Sequence, residues 1–154
     1  MNCRLNILFS IVFSAFTFTI LAQNYCPEKR LLLEKYKAGD YIQSKAYIDT
    51  VLLRCPDQKD NAYFWHISAF INFNIFQKVD NKSPISKARK EAVSAVLKSK
   101  ELDKDDQYLE HNHQVINVLA NGFYNHYVGF LDTINYEKAA EFYQEFRALK
   151  LIVN

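Results

Sequence analysis

Glycine and proline are scarce in this sequence, with three of each among 154 residues. A β-sandwich or β-barrel of this length would need a turn about every ten residues. Six turn-forming residues are too few to supply those turns. The sequence therefore predicts an all-α fold built from long helices.

An excess of charge of one sign is also missing. Nineteen Lys and Arg stand against 17 Asp and Glu, which gives a net charge of +2. This balance does not predict the basic surface that nucleic-acid binding requires, so we expect no nucleic-acid partner. Aromatic residues, in contrast, reach 15% of the chain. They indicate either bulky helix packing or an exposed binding surface.

Residues 1–23 have the pattern of a secretory signal peptide. A basic residue near the start is followed by an apolar run from Leu5 to Leu21. We expect cleavage after Ala22 or Gln23, and we expect residues 24–154 to form a domain in the periplasm or outside the cell, without membrane insertion. The alternative is an uncleaved anchor, because the apolar run is at the short limit for spanning a bilayer.

The expected mature chain has an even number of cysteines, Cys26 and Cys55. An even pair in an oxidising compartment favours a disulfide. Cys26 precedes the first predicted helix and Cys55 follows the second, and these two ends lie side by side in an antiparallel helix pair. We therefore expect a Cys26–Cys55 disulfide, with two free buried thiols as the alternative.

Helical periodicity and helix breakers divide the rest of the chain into six helices. The first two span about 27–38 and 41–54, the third follows a cap at Asp57 or Asp60 and ends near residue 78, the fourth spans about 84–101 behind a Ser83 cap, the fifth includes 108–131, and Asn135 caps the sixth. Gly122 and Gly129 lie inside the fifth helix, where we expect them to permit close helix packing.

Short motifs recur along these helices. Gly39-Asp40-Tyr41, followed by Ser44, Ile48 and Pro56, resembles the second half of a tetratricopeptide repeat. Asn135-Tyr136, followed by Ala139, Tyr143 and Phe146, repeats that pattern, and Ile116-x2-Leu119-Ala120-x2-Phe123 is similar to the first half. The resemblance implies three antiparallel helix pairs stacked as a right-handed solenoid, and an ordinary six-helix bundle is the alternative. The signal exit and the Tyr-, Asn- and Lys-rich repeats look like envelope proteins of Bacteroidetes-type bacteria.

The resemblance also implies a function and a binding surface. In tetratricopeptide-like proteins the first helices of the pairs line a concave groove that binds another protein or peptide. The residues placed there are Tyr36, Tyr63, His66, Phe70, Asn117, Asn121, Tyr124 and Asn125. The sequence thus predicts a non-enzymatic scaffold or adaptor of the cell envelope. The alternative is a carrier that holds a small apolar ligand in an aromatic pocket between helices.

Residues suited to catalysis or metal binding do not form a recognisable pattern. His111 and His113 are two residues apart on a helix, so they point to nearly opposite sides and are poorly placed to share a metal. His66 and His126 are isolated among aromatic residues. A hydrolase that uses either one is a third hypothesis, and it would need a carboxylate or a nucleophile within hydrogen-bond reach of that histidine. We therefore expect no catalytic residue, metal or cofactor. The apolar stripe of the sixth helix suggests a homo-oligomer contact.

Overall fold

The computed structural model describes residues 26–153, so the predicted signal peptide, residues 1–23, lies outside the described residues. Between Cys26 and Val153 the chain forms six α-helices and one short 3₁₀ turn, and no strand. The helices are α1 (Pro27–Lys37), α2 (Tyr41–Arg54), α3 (Ala62–Lys78), α4 (Lys87–Leu102), α5 (Leu109–Asp132) and α6 (Tyr136–Val153). The all-α prediction is confirmed.

Side-chain caps start four of the helices, α2, α3, α4 and α6. Oδ1 of Asp40 accepts a hydrogen bond from the backbone N–H of Gln43 at 3.1 Å at the start of α2. Asn135 accepts the corresponding bond from Lys138 at 3.2 Å and starts α6, as predicted. These bonds satisfy backbone donors that have no partner within the helix.

Two helix starts differ from the prediction. The 3₁₀ turn Pro56–Asp60 contains both predicted caps of the third helix, and Asn61 caps α3 instead by accepting from the backbone N–H of Phe64 at 3.1 Å. The fourth helix begins three residues late, because Ser86 rather than Ser83 accepts from the first turn. Several adjacent residues here could act as caps, and local sequence alone does not choose between them.

A disulfide joins the start of α1 to the end of α2. Cys26 and Cys55 are bonded, with their Cα atoms 6.0 Å apart, which confirms the predicted pairing. Nη1 of Arg54 also lies 2.8 Å from Oε1 of Glu28, so an ion pair stands beside the covalent link. The start of α1 is thereby held at the end of α2.

The core is centred on α3, which packs against α2, α4 and α5. Eight of its side chains are buried and seven more are half-buried, which explains its nearly uniform apolar pattern. On α4, the buried Ala88, Ala92 and Ala95 are short side chains that allow the α3 and α4 backbones to approach closely. The α5 and α6 helices form the other extensive packing contact.

The two glycines of α5 have different surroundings. A β-carbon at Gly122 would lie 3.7 Å from Cζ of Phe76 on α3, which is an ordinary contact distance. Gly129 has no neighbour within 4 Å of the corresponding position. The expectation that both glycines permit close helix packing is therefore wrong for Gly129.

None of the helices from α1 to α6 combines the length and hydrophobicity that a bilayer-spanning segment requires.

Candidate functional site

Aromatic rings from α3 and from the start of α5 gather around His66. The His66 ring stacks on Tyr108, with centroids 4.7 Å apart, and Phe70 lies at 4.9 Å. His111 and Tyr63 complete the group at 6.1 and 6.5 Å. We call these five residues the His66 cluster.

A buried hydrogen-bond chain fixes the orientation of the His66 ring. Oγ of Ser99 donates to the carbonyl of Ala62 at 3.1 Å, so it must accept from Nδ2 of Asn112, at 3.0 Å. Oδ1 of Asn112 therefore faces His66 and accepts from its Nδ1–H at 2.9 Å. In the neutral ring this tautomer leaves Nε2 as an acceptor, because only one of the two nitrogens carries a proton.

The electrostatics of the cluster favour a neutral histidine. Burial lowers the pKa of His66, and the positive charge of a protonated His111 lowers it further. The bond to Asn112 and the Asp103 carboxylate act in the opposite direction. Burial is the main cause that raises the pKa of Tyr108, and the charge of Asp103 and the nearby Tyr63 raise it further. The lowered pKa of His66 and the raised pKa of Tyr108 both favour the uncharged forms of these two side chains.

Asp103 holds Tyr108 in place against His66. Its carboxylate accepts hydrogen bonds from the backbone N–H groups of Gln107 and Tyr108, at 3.0 and 2.7 Å. Tyr63, Asp103 and Tyr108 also line a cleft of about 430 Å³ beside the cluster. The turn between α4 and α5 thus positions one aromatic wall of this cleft.

The predicted groove residues separate into two groups. Tyr63, His66 and Phe70 lie together in the His66 cluster. Tyr36 packs on Tyr41, with ring centroids 6.3 Å apart. Burial raises its pKa, and the neighbouring Tyr41 and Tyr63 raise it further.

The predicted residues on α5 lie elsewhere. Asn117 accepts a hydrogen bond from Nζ of Lys150 at 3.0 Å, and the Tyr124 ring lies 5.2 Å from Phe146. Both of these contacts are with α6. Asn121 and Asn125 are exposed on α5. The structure therefore brings three of the eight predicted residues, Tyr63, His66 and Phe70, together in the His66 cluster. It places Asn117 and Tyr124 at the contact between α5 and α6.

A second feature, which the sequence analysis missed, is a buried arginine on α4. Arg89 is 1% exposed, and its guanidinium carbon lies 3.9 Å from the centroid of the Phe123 ring. The rings of Phe142 and Phe76 follow at 5.1 and 5.4 Å. Nη2 donates to the carbonyl of Pro84 at 2.6 Å, whereas Nε and Nη1 are buried without a hydrogen-bond partner.

Arg89 also lines a pocket of about 350 Å³ between α4, α5 and α6. Phe123, Phe130 and Phe142 supply aromatic walls, and charged side chains from α4 and α6 lie around them. Burial lowers the pKa of Arg89 to about 10, with Glu145 and Glu141 acting in the opposite direction, so the guanidinium stays charged at neutral pH. We call this cavity the Arg89 pocket.

Among residues 26–153, one group of three side chains places metal-ligand atoms close together: Cys26, Glu28 and Cys55, within 4.8 Å. The two sulfurs are joined in the disulfide, so neither is the thiolate that metal ligation needs. Of the two histidines that the sequence analysis considered for a metal, His111 has its ring in the His66 cluster, and Nε2 of His113 is buried without a hydrogen-bond partner.

No protein-family model, curated protein or solved structure matches this chain. Its function is therefore inferred from the geometry of its own residues.

Proposed function

We propose that the protein is a secreted, non-enzymatic scaffold that binds another protein or peptide through the surface around His66. In this proposal the six helices form three antiparallel pairs, stacked as a right-handed tetratricopeptide-like solenoid. The His66 cluster carries the proposal, because it collects rings from two helices that are far apart in sequence.

Repeated contact offsets support the stacked arrangement. Asn112 follows its partner His66 by 46 residues, and Gly122 on α5 follows its neighbour Phe76 on α3 by the same number. Such a constant offset is expected when α3 and α5 run side by side in the same direction. Lys45 on α2 and Glu91 on α4 form an ion pair with the same separation. In a solenoid of helix pairs, the first helices of successive pairs, here α3 and α5, would run parallel with a constant offset. The second helices, here α2 and α4, would do the same.

The surface chemistry suits an extended peptide. Aromatic side chains provide contact area at a low cost in conformational entropy, and they are enriched at protein interfaces. Tyr63 remains 37% exposed although it contacts His66 and Tyr108. In the neutral tautomer Nε2 of His66 can accept a backbone N–H, and the exposed amides of Asn121 and Asn125 offer donors and acceptors farther along α5.

The disulfide is compatible with a periplasmic or extracellular site of action. Structural disulfides persist in oxidising compartments and are rare where thiols are kept reduced. Cys26–Cys55 lies directly after the proposed signal peptide and joins the ends of the first helix pair. The scaffold would therefore form its first pair after export.

The decisive experiment is affinity capture from envelope extract with the exported chain as bait. The test variant is Tyr63→Ala with Tyr108→Ala, and the matched control is Tyr136→Ala with Tyr143→Ala, which removes two rings from α6 instead. We expect a protein that is retained by the wild type and the control, is lost by the test variant, and binds the purified chain directly. Equal retention by both variants, with helical circular dichroism preserved, would overturn the proposal.

The carrier alternative has a specific observation in its favour. The Arg89 pocket lies between α4, α5 and α6 and has aromatic walls, as a site for a small ligand would. A homo-oligomer through α6 also remains a proposal, since Tyr136 and Leu151 are exposed on that helix. Sedimentation of the purified chain distinguishes a monomer from such an oligomer.

A further inference from the structure

The guanidinium of Arg89 has more hydrogen-bond donors than its surroundings satisfy. A guanidinium carries five N–H donors, and the one recorded acceptor is the Pro84 carbonyl, which takes a hydrogen from Nη2. Nε and Nη1 are buried without a partner. Buried donors of a charged group are costly to leave unpaired, and such groups in native proteins call for an explanation.

The neighbouring aromatic rings attract the charge of Arg89, but they do not satisfy its hydrogen-bond donors. Phe123, Phe142 and Phe76 present ring faces or edges within 5.4 Å of the guanidinium carbon. A ring face attracts a cation but accepts no conventional hydrogen bond in the plane of the guanidinium. None of the ion pairs found between residues 26 and 153 involves Arg89. The in-plane donors are therefore the part that lacks a partner.

The free donors form a geometry that matches a carboxylate. Nη2 has two hydrogens, one directed along the Nε side of the guanidinium and the other along the Nη1 side. Whichever hydrogen Pro84 accepts, the remaining one forms a two-point fork with Nε or with Nη1. Paired N–H groups of this kind bind the two oxygens of a carboxylate with bidentate geometry.

The rest of the pocket defines the body and the charge of the ligand. Its walls are the rings of Phe123, Phe130 and Phe142, and its volume of about 350 Å³ is at the small end for a small-molecule site. Two lysines, Lys90 and Lys138, and two glutamates, Glu141 and Glu145, also line it. Together with Arg89 they leave one positive charge in excess, which fits a ligand with a single negative charge.

We propose that the Arg89 pocket binds a small monocarboxylate with an aromatic or short aliphatic body, its carboxylate held by the guanidinium and its body between the phenylalanine rings. This inference rests on the carrier alternative and is independent of the scaffold proposal. The glutamates at the pocket oppose a second negative charge, so dicarboxylates bind less well.

The test uses 3-phenylpropionate as the probe and its uncharged amide, 3-phenylpropionamide, as the matched ligand. Binding to the purified exported chain is followed by isothermal titration and by NMR shifts. We expect the wild type to bind the carboxylate at least about tenfold more tightly than the amide, as an added charge-assisted fork predicts. Equal affinity for the two ligands, or no binding of either at millimolar concentration, would overturn the inference.

Two variants locate the interaction. Arg89→Met keeps a long apolar side chain in the aromatic surroundings, so it should fold, and it should lose the preference for the carboxylate while it still binds the amide. Glu141→Gln removes a repulsive charge and should tighten carboxylate binding. A wild-type preference that survives in Arg89→Met would contradict the proposal.

A separate measurement distinguishes this inference from the scaffold proposal. The Tyr63→Ala, Tyr108→Ala variant changes the His66 cluster and leaves the Arg89 pocket intact. It should therefore bind 3-phenylpropionate as the wild type does, even if it loses a protein partner. Loss of carboxylate binding in this variant, with its helix content unchanged, would argue against the Arg89 pocket as the site.

Discussion

His66 and Asn112 join α3 to α5 through a hydrogen bond of 2.9 Å in which Nδ1–H of the histidine donates to the amide oxygen. Asn112 is 0% exposed, and its amide nitrogen donates in turn to Ser99 on α4. One buried side chain thus connects three helices. The same bond sets the tautomer of the ring at the centre of the proposed binding surface.

Replacing Asn112 should destabilise the protein strongly. Asn112→Ala leaves the Nδ1–H of His66 without its acceptor and creates a gap between the helices, so we expect a loss of about 2 to 3 kcal/mol in the free energy of unfolding. Asn121→Ala on the exposed side of α5 is the control and should change it by no more than about 0.5 kcal/mol. Urea denaturation measures both values. Equal effects of the two variants would show that the buried network contributes little.

Stability should fall on mild acidification. Burial is the main cause that lowers the pKa of both His66 and His126 below the ordinary value of 6.5. The unfolded chain therefore takes up more protons than the folded chain as the pH falls through about 6.5. The free energy of unfolding should be fully retained above that pH and should decrease below it.

Urea midpoints at pH 7.5, 6.5 and 5.5 test this dependence, with His66→Gln and His126→Gln as variants. Each variant should show a shallower decrease than the wild type, and the double variant should be nearly flat. The pKa of Glu28 is lowered below its ordinary value of 4.5, so its titration lies outside this range. Stability that stays constant or rises between pH 7.5 and 5.5 would contradict the assignment.

Much of the helical framework could be predicted from local signals. Gly39 and Pro56 delimit α2, whose bounds match the prediction, and Asn135 starts α6 as expected. The disulfide followed from the positions of Cys26 and Cys55 at helix ends. These features depend on residues that are close in sequence or on the simple geometry of a helix pair.

Two buried polar side chains, Arg89 and Asn112, were not predicted, although the sequence contains a signal for each. Arg89 precedes Ala92, Val93 and Val96 by three, four and seven residues, so it stands on the apolar stripe of α4. Asn112 has the same relationship to Val115, Ile116 and Leu119 on α5. A polar residue at such a position is expected to be buried. Its partners, however, come from other helices, and only the tertiary fold identifies them.

The Cys26–Cys55 disulfide should contribute substantially to stability. The two cysteines are 29 residues apart, and closing a loop of that length in the unfolded chain corresponds to about 3.5 kcal/mol in the chain-entropy model. The Cys26→Ser, Cys55→Ser double variant should lose an amount of this order in urea denaturation. Mass analysis of the exported chain without reductant should show two hydrogen atoms fewer and a cross-linked peptide. Thiols that can be alkylated in the native protein would contradict the bond.

Alanine substitutions at two glycines should have opposite effects. Gly129 lies inside α5 with open space around its α-carbon, so Gly129→Ala should raise the free energy of unfolding by about 1 kcal/mol through helix propensity. Gly39 has φ of +75° after α1, a conformation that costs an L side chain about 1 to 2 kcal/mol, so Gly39→Ala should lower it.

Urea denaturation of the two variants tests whether Gly129 serves close helix packing or only lowers the helix propensity of α5. If Gly129 served close helix packing, a methyl group there would clash and Gly129→Ala would destabilise the protein as Gly39→Ala does. The structure has no neighbour within 4 Å of that position, so the methyl group meets only solvent and restricts the unfolded chain. A stabilising Gly129→Ala beside a destabilising Gly39→Ala would therefore locate the conformational requirement at the turn between α1 and α2, and not in the interior of α5.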